Sequence, residues 1–288
     1  MISQEGKTIV VLGATGRQGN QVVRHLLDQG WRVRGITRKP ESKKAADLQA
    51  LGAEVVKADL GDRASLEAAF AGAYGLYDIQ IPVSGKIDVE VNQGRNAAEA
   101  ARKTDIRHVV YGSAGLGGNT RTGIEQWDAK EEITQIINGL GLPLTRLRPM
   151  AFMELMSDPS YYPNSSTWYV WPRLSGIDRP IGWISVRDVG AIAAKAFANP
   201  DEFIGRDLPL SADVKSLAEC REIHKEVTGK YPSRFPMPIF LFEKFVGKDL
   251  ANMWRWLRTN YVDLSTGPTH EVHPDVMSVR TWLQRTTT

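Results

Sequence analysis

Along its first half the chain repeats one pattern. A short run rich in β-branched residues is followed by a stretch in which apolar positions return every three or four residues. The runs at 8–12, 32–37, 54–58, 76–81, 108–111 and 144–147 read as strands, the first, a continuous apolar run, as one covered on both faces, and the stretches between them as helices. Val22, Val23, Leu26 and Leu27 mark the apolar face of one helix, which Gly30 closes. Ile133, Ile136 and Ile137 mark another within 127–138, stopped by Gly139-Leu140-Gly141. Alternation of this kind requires parallel pairing through crossovers, so the expected fold is α/β, a Rossmann-type doubly wound parallel sheet of six strands.

Past Pro149 the pattern changes. Residues 158–182 are rich in Pro, Tyr, Trp, Ser and Asn without periodicity, which reads as loop or small-lobe material. Regular structure is expected again as a helix over 188–199, a short strand around 207–211, and helices over 214–228 and 238–258. The expected organisation is a sheet domain over 1–150, rejoined by 184–212, and a smaller, mostly helical lobe from 151–183 and 213–288. There is no internal repeat and no low-complexity tract.

Composition adds little to this picture. The 288 residues are 42% hydrophobic and 24% charged, ordinary for a globular chain with a substantial core. A net charge of +3 without a Lys/Arg block gives no reason to expect nucleic acid or membrane as a partner. The apolar runs are too short to span a bilayer, the polar start has no signal-peptide core, and Cys220 is the only cysteine, so a cytoplasmic protein is expected. Basic residues do gather at Arg38, Lys39, Lys43 and Lys44, where a local anionic ligand would fit.

The chemistry begins at Gly13-Ala14-Thr15-Gly16-Arg17-Gln18-Gly19, directly after the first strand and directly before the first helix. In that context Gly13 serves the tight turn, Gly16 the approach of a pyrophosphate, and Gly19 close helix-to-strand packing, with the helix N-terminus facing the phosphates. The alternative is a tight strand-to-helix turn in some other α/β protein. Thr15, Arg17 and Gln18 complete the cofactor-facing set expected of this turn. An Asp or Glu about 20 residues later would bind the ribose hydroxyls of NAD, whereas the second strand here ends in Thr37-Arg38-Lys39. Arg38 is therefore expected to hold a 2′-phosphate, giving NADP(H) preference over NAD(H), unless it is only a solvated surface charge. Asp59, followed by Leu60, stands after the third strand, where it could face the adenine or cap a helix.

With these residues in place, the chain resembles the NmrA-like family, an atypical branch of the short-chain dehydrogenase/reductase superfamily. The opening GATGRQG, Val109 to Ser113, Trp127-Asp128-Ala129-Lys130, Leu147-Arg148-Pro149, Phe152-Met153-Glu154, Ile184 to Val189, His273-Pro274 and Trp282-Leu283 follow that family's landmarks in order. The resemblance implies a ligand cleft between the two domains, a nicotinamide-ribose contact from Lys130, and a cofactor-lining role for Ile81, Pro82 and Val83. It also implies a catalytic position for Ser113.

A reductase of the usual superfamily type pairs a Tyr with a Lys four residues later, so that the ammonium lowers the phenol pKa. Four residues before Lys130 stands Gln126, which cannot act as that acid, and neither can Trp127. Two readings remain open. One is an NADPH-dependent oxidoreductase for a small acceptor such as a quinone, with Lys130, Ser113 or water supplying the proton. The other is a non-catalytic NADP(H) sensor that acts through a regulatory protein partner. Lys130 also reads as a helix-surface lysine, and Ser113 as a turn residue. Phe152, Tyr161, Tyr162, Trp168, Tyr169, Trp171 and Trp183 fit core packing better than ligand stacking, although one of the tyrosines could replace the missing acid. The spacing around Met253, Trp254 and Trp256 likewise suits the core of the lobe. His270, Glu271 and His273 lack a fuller ligand set, so no metal is expected.

Overall fold

The computed structural model describes residues 3–81, 86–118, 120–158 and 166–287. The chain divides into two compact units, the first built from 1–121, 126–148 and 189–208, the second from 122–125, 149–188 and 209–288.

In chain order the first unit runs β1 (Thr8–Val11), α1 (Arg17–Asp28), β2 (Arg32–Thr37), α2 (Lys43–Ala50), β3 (Glu54–Lys57), α3 (Arg63–Phe70), β4 (Gly75–Asp78), α4 (Ile87–Lys103), β5 (His108–Gly112), α5 (Glu125–Gly139) and β6 (Leu144–Pro149). The second unit begins with β7 (Ala151–Phe152), helical turns at Met153–Met156 and Ser166–Val170, α6 (Trp171–Ser175) and β8 (Ile181–Ile184). Through α7 (Val186–Ala198), α8 (Pro200–Phe203) and β9 (Asp207–Leu210) the chain rejoins the first. It ends in the second with β10 (Asp213–Lys215), α9 (Leu217–Thr228), α10 (Ile239–Phe245), α11 (Lys248–Thr259), α12 (Gly267–Val272) and α13 (Val279–Thr287).

The main sheet has seven parallel strands in the order β3-β2-β1-β4-β5-β6-β9. Val10 lies opposite both Arg34 and Leu76, and Leu76 opposite Val109. The order reverses between β1 and β4, the switch point at which a doubly wound sheet offers a crevice beyond its carboxyl strand ends. Val10, Leu12, Leu66, Phe70, Leu76, Val109, Ile133 and Ile137 form one buried cluster on this sheet. Helices α4 and α5 meet closely because Gly94 has no side chain: a Cβ there would lie 2.6 Å from Ile133. The second unit holds a three-stranded sheet, β10-β8-β7. Its core is aromatic, with Trp171 stacked on Trp254 at 5.1 Å and Phe242 on Trp254 at 5.2 Å.

Four expectations need correction. The fourth strand stops at Asp78 rather than reaching residue 81, since Gln80 turns its carbonyl to Lys130 instead of a neighbouring strand. The sheet has seven strands because β9 joins β6 at its edge. The helix expected over 214–228 starts only at Leu217: Val214 pairs with Gly182 in β10, and Ser216 and Glu219 close a reciprocal capping box. The helix expected over 238–258 is two, parted at Gly247, whose φ of +125° no other residue type adopts comfortably.

Candidate active site

The turn between β1 and α1 is dictated by space. Gly13 adopts φ +62° and its carbonyl accepts the N–H of Gly16 at 2.8 Å. A Cβ on Gly19 would collide with that same carbonyl, lying 2.6 Å from its carbon, so the helix can begin this close to the strand only with glycine at 19. Gly16 is the N-cap of α1, with no side-chain cap bond, and the first turn carries no acidic residue. The positive end of the helix is thus left unneutralised, as an anion site requires.

The other expected cofactor residues divide. Thr15 and Arg17 are partly exposed on the turn. Gln18 is directed inward, its Nε2 donating to the buried Tyr77 hydroxyl at 2.5 Å. Arg38 is exposed at the end of β2 and makes no hydrogen bond or ion pair among the described residues. Asp59 closes its own turn by accepting Gly61 N–H at 2.8 Å, while Asp62 caps α3, so the capping alternative for Asp59 is excluded. Leu60 packs against the core and its carbonyl accepts from Asn96 at 2.9 Å. Ile81 is 69% exposed after β4; Pro82 and Val83 lie outside the described residues.

Lys130 is not a surface lysine. It is buried on α5, where its ammonium pairs with Glu90 of α4 at 2.9 Å and donates to the Gln80 carbonyl at 2.7 Å. It also lies 5.8 Å from the centre of the Tyr111 ring. Beside it Asp78 is fully buried; Gln80 Nε2 donates to Oδ1 at 2.5 Å, and Oδ2 has no hydrogen-bond partner among the described residues. Burial raises the Asp78 carboxyl to about 7, against the opposing pull of Gln80 and the Lys130 charge. Burial also pushes the Tyr111 phenol far above its ordinary range, helped by Asp78 and Glu90, so Tyr111 keeps its proton at neutral pH.

Ser113 follows β5, and its Oγ accepts Arg146 Nε at 3.0 Å. Arg146 is itself buried and paired with Glu131 at 2.9 Å and Asp207 at 3.5 Å. The sequence reading did not single out Asp78, Glu90, Glu131 or Arg146. For Asp78 and Arg146 a signal existed, since a charge inside an apolar central strand needs a buried partner. For Glu90 and Glu131, on helices, there was none.

In the second unit, Trp168, Trp171, Trp183 and Trp254 are buried, as the core-packing reading expected, with helical spacing the ground for Trp254 alone. Tyr169 is covered by the Arg173 guanidinium at 3.4 Å, and Tyr161 and Tyr162 lie outside the described residues. Several of the later landmarks converge on one polar cluster. Glu154 accepts the Val186 N–H at 3.1 Å, and Asp188 accepts Ser185 Oγ–H at 2.8 Å and Met277 N–H at 3.2 Å. His273 lies 3.6 Å from Asp188, and His270 Nε2 is 3.0 Å from the Ala212 carbonyl. Burial lifts Glu154 to about 7. No group of three or more His, Cys, Asp or Glu among the described residues could hold a metal ion. None of the described helices is long and apolar enough to cross a membrane.

The sequence model of the NmrA-like family matches residues 5–281. The NmrA-like family domain-containing oxidoreductase himF of Aspergillus japonicus is 31% identical over 245 residues, covering 77% of this chain and 73% of the relative. Among solved structures, the triphenylmethane reductase of Citrobacter sp. complexed with NADP(H) has a TM-score of 0.79 at 18% identity, over 98% of this chain and 100% of that one. NmrA, a negative transcriptional regulator in complex with NADP, has a TM-score of 0.73 at 18% identity, over 98% and 95%.

Proposed function

The chain belongs to the NmrA-like family, and from that premise we propose that it is an NADP(H)-dependent reductase acting on a small planar acceptor such as a quinone. The observation that carries the reading is the contact of Gly19 with Gly13 ahead of an uncapped helix end, a cradle that any side chain at 19 would fill. Gly13, Gly16 and Gly19 would hold the pyrophosphate, with Thr15 and Arg17 on the same turn. Arg38, exposed and without a protein partner among the described residues, would take the 2′-phosphate and favour NADP(H). Bound there, the nicotinamide supplies hydride.

Lys130 brings its amino group to the carboxyl end of β4. It donates to the Gln80 carbonyl and forms an ion pair with Glu90, and no other acceptor meets it among the described residues. A remaining N–H suits a ribose hydroxyl or the oxygen of an acceptor. Ser113 offers a hydroxyl, steadied by Arg146. Ile81 and Asp59 flank the same strand ends of the first unit. The oxidoreductase name of the relative and the dye-reducing neighbour with NADP(H) support this reading.

A second reading has its own support. Gln126 stands where a reductase of the usual type carries its tyrosine, and a regulator shares the fold and is known with NADP. On that reading the protein senses NADP(H) and acts through a protein partner. Purified protein, NADPH and a panel of small quinones, followed by loss of NADPH absorbance, separate the two. Turnover that Lys130→Ala abolishes supports the reductase; tight NADPH binding with no turnover across the panel supports the sensor.

A further inference from the structure

Among the described residues, the buried carboxyls and cations of the first unit do not balance. Asp78, Glu90 and Glu131 supply three carboxyls, whereas Lys130 and Arg146 supply two cations. Glu90 is taken by Lys130 and Glu131 by Arg146, each at 2.9 Å. Asp78 is the buried carboxyl of the three with no ion-pair partner among the described residues, although one oxygen each of Glu90 and Glu131 also lacks a hydrogen bond there. The Asp78 Oδ2 meets no donor among the described residues, and neither does Gln80 Oε1. A buried carboxylate in that position is costly unless it holds a proton or a positive charge arrives nearby.

Position decides which charge that is. Asp78 is the last residue of β4, the strand across the switch point from the glycine turn, and Ile79, one residue on, would meet a Cβ on Gly13 at 3.1 Å. The groups around Asp78 are Tyr77 beside it, Tyr111 opposite it on β5, Lys130 on α5 and, through Lys130, Glu90 on α4. Both phenols stay protonated at neutral pH because burial raises them, and Lys130 is already matched by Glu90. Asp78 is therefore the group free to exchange a proton.

We propose that Asp78 is a proton store linked to the redox state of the bound nucleotide: it keeps its proton beside a neutral dihydronicotinamide and releases it beside the positively charged oxidised ring. One proton leaves the protein when oxidised nucleotide replaces reduced, and the carboxylate left behind would offset the positive charge that the oxidised ring brings. The inference rests on the cofactor reading above but not on turnover, so it holds for reductase and sensor alike. Its value near 7 places the exchange in the neutral range.

Calorimetry at pH 7 in two buffers of different ionisation enthalpy counts the protons exchanged as NADP+ or NADPH binds. Ionisation of the 2′-phosphate is common to both nucleotides and cancels in the difference. The expected result is a proton released with NADP+ beyond that with NADPH, a difference lost in Asp78→Asn. A second measurement needs no variant: the affinity for NADP+ relative to NADPH should rise with pH by up to about tenfold per unit through the neutral range. Equal proton counts in the wild-type protein, a pH-independent affinity ratio, or a difference that survives in a folded Asp78→Asn would overturn the proposal. Absence of heat with both nucleotides would instead overturn the cofactor reading itself, and this proposal with it.

Discussion

Lys130 and Glu90 lie forty positions apart in sequence and meet at 2.9 Å, with side chains only 6 and 2% exposed. Removing one partner leaves the other charge in a dry interior, which costs more than the pair contributes. Lys130→Met should therefore lose about 3–5 kcal/mol of stability in urea unfolding. Adding Glu90→Gln should recover much of that loss. A single substitution costing under about 1 kcal/mol would show that the pair is wet.

Gly19→Ala tests the cradle. The new Cβ meets backbone atoms of Gly13, which cannot swing aside as a side chain would. A loss of about 1–3 kcal/mol is expected, with the stabilisation by NADPH in thermal melts abolished. An unaltered melting temperature with NADPH present would exclude the close turn as the binding element.

Arg38→Glu separates the two nucleotides. Arg38 is exposed and unpaired among the described residues, so the folded state should keep its stability within about 0.5 kcal/mol. NADPH affinity should fall roughly ten- to hundredfold, the worth of charge-assisted hydrogen bonds, and NADH affinity far less. Equal losses for both, by calorimetry, would remove the 2′-phosphate from Arg38.

His108 sets an acid limit. It is buried, its Nε2 is 2.8 Å from Thr145 Oγ1, and Thr145 in turn donates to the Phe203 carbonyl, so Nε2 carries the hydrogen. Burial lowers its pKa from the ordinary 6.5 to about 4. Between those values the unfolded chain binds a proton that the fold refuses, and stability falls as pH drops, by up to about 1.4 kcal/mol per unit. Urea titrations should find the stability gap between wild type and His108→Gln narrowing from pH 6.5 to 4; a constant gap would contradict the neutral buried ring.

Asp188 ties the C-terminal segment to the turn before α7. Asp188→Ala strands the Met277 N–H and the Ser185 hydroxyl, at a cost of about 2–4 kcal/mol. Hydrogen exchange should accelerate first around Met277 and α13. Uniform acceleration across the chain would point to global loss instead.

The alternation of short β-branched runs with helical spacing, the glycine pattern of residues 13–19 and the helical spacing around Trp254 were all legible in the chain, because each is a local property. Strand period, turn chemistry and helix face are set within a dozen residues. The sequence also carried the Gln126 departure and the exposed basic end of β2. The capping box at Ser216 and Glu219 was legible too, and sets the start of α9 more sharply than periodicity did.

Only the tertiary structure decided that Lys130 is buried rather than solvated, that Gln18 faces Tyr77, and that Asp78 lacks a partner. Each depends on which face of one element meets which face of another. Gly94 brings α4 against Ile133 of α5, and with that single close approach Glu90 arrives at Lys130. Ion pairs across such distances in sequence have no period, since helix packing rather than spacing selects the partners.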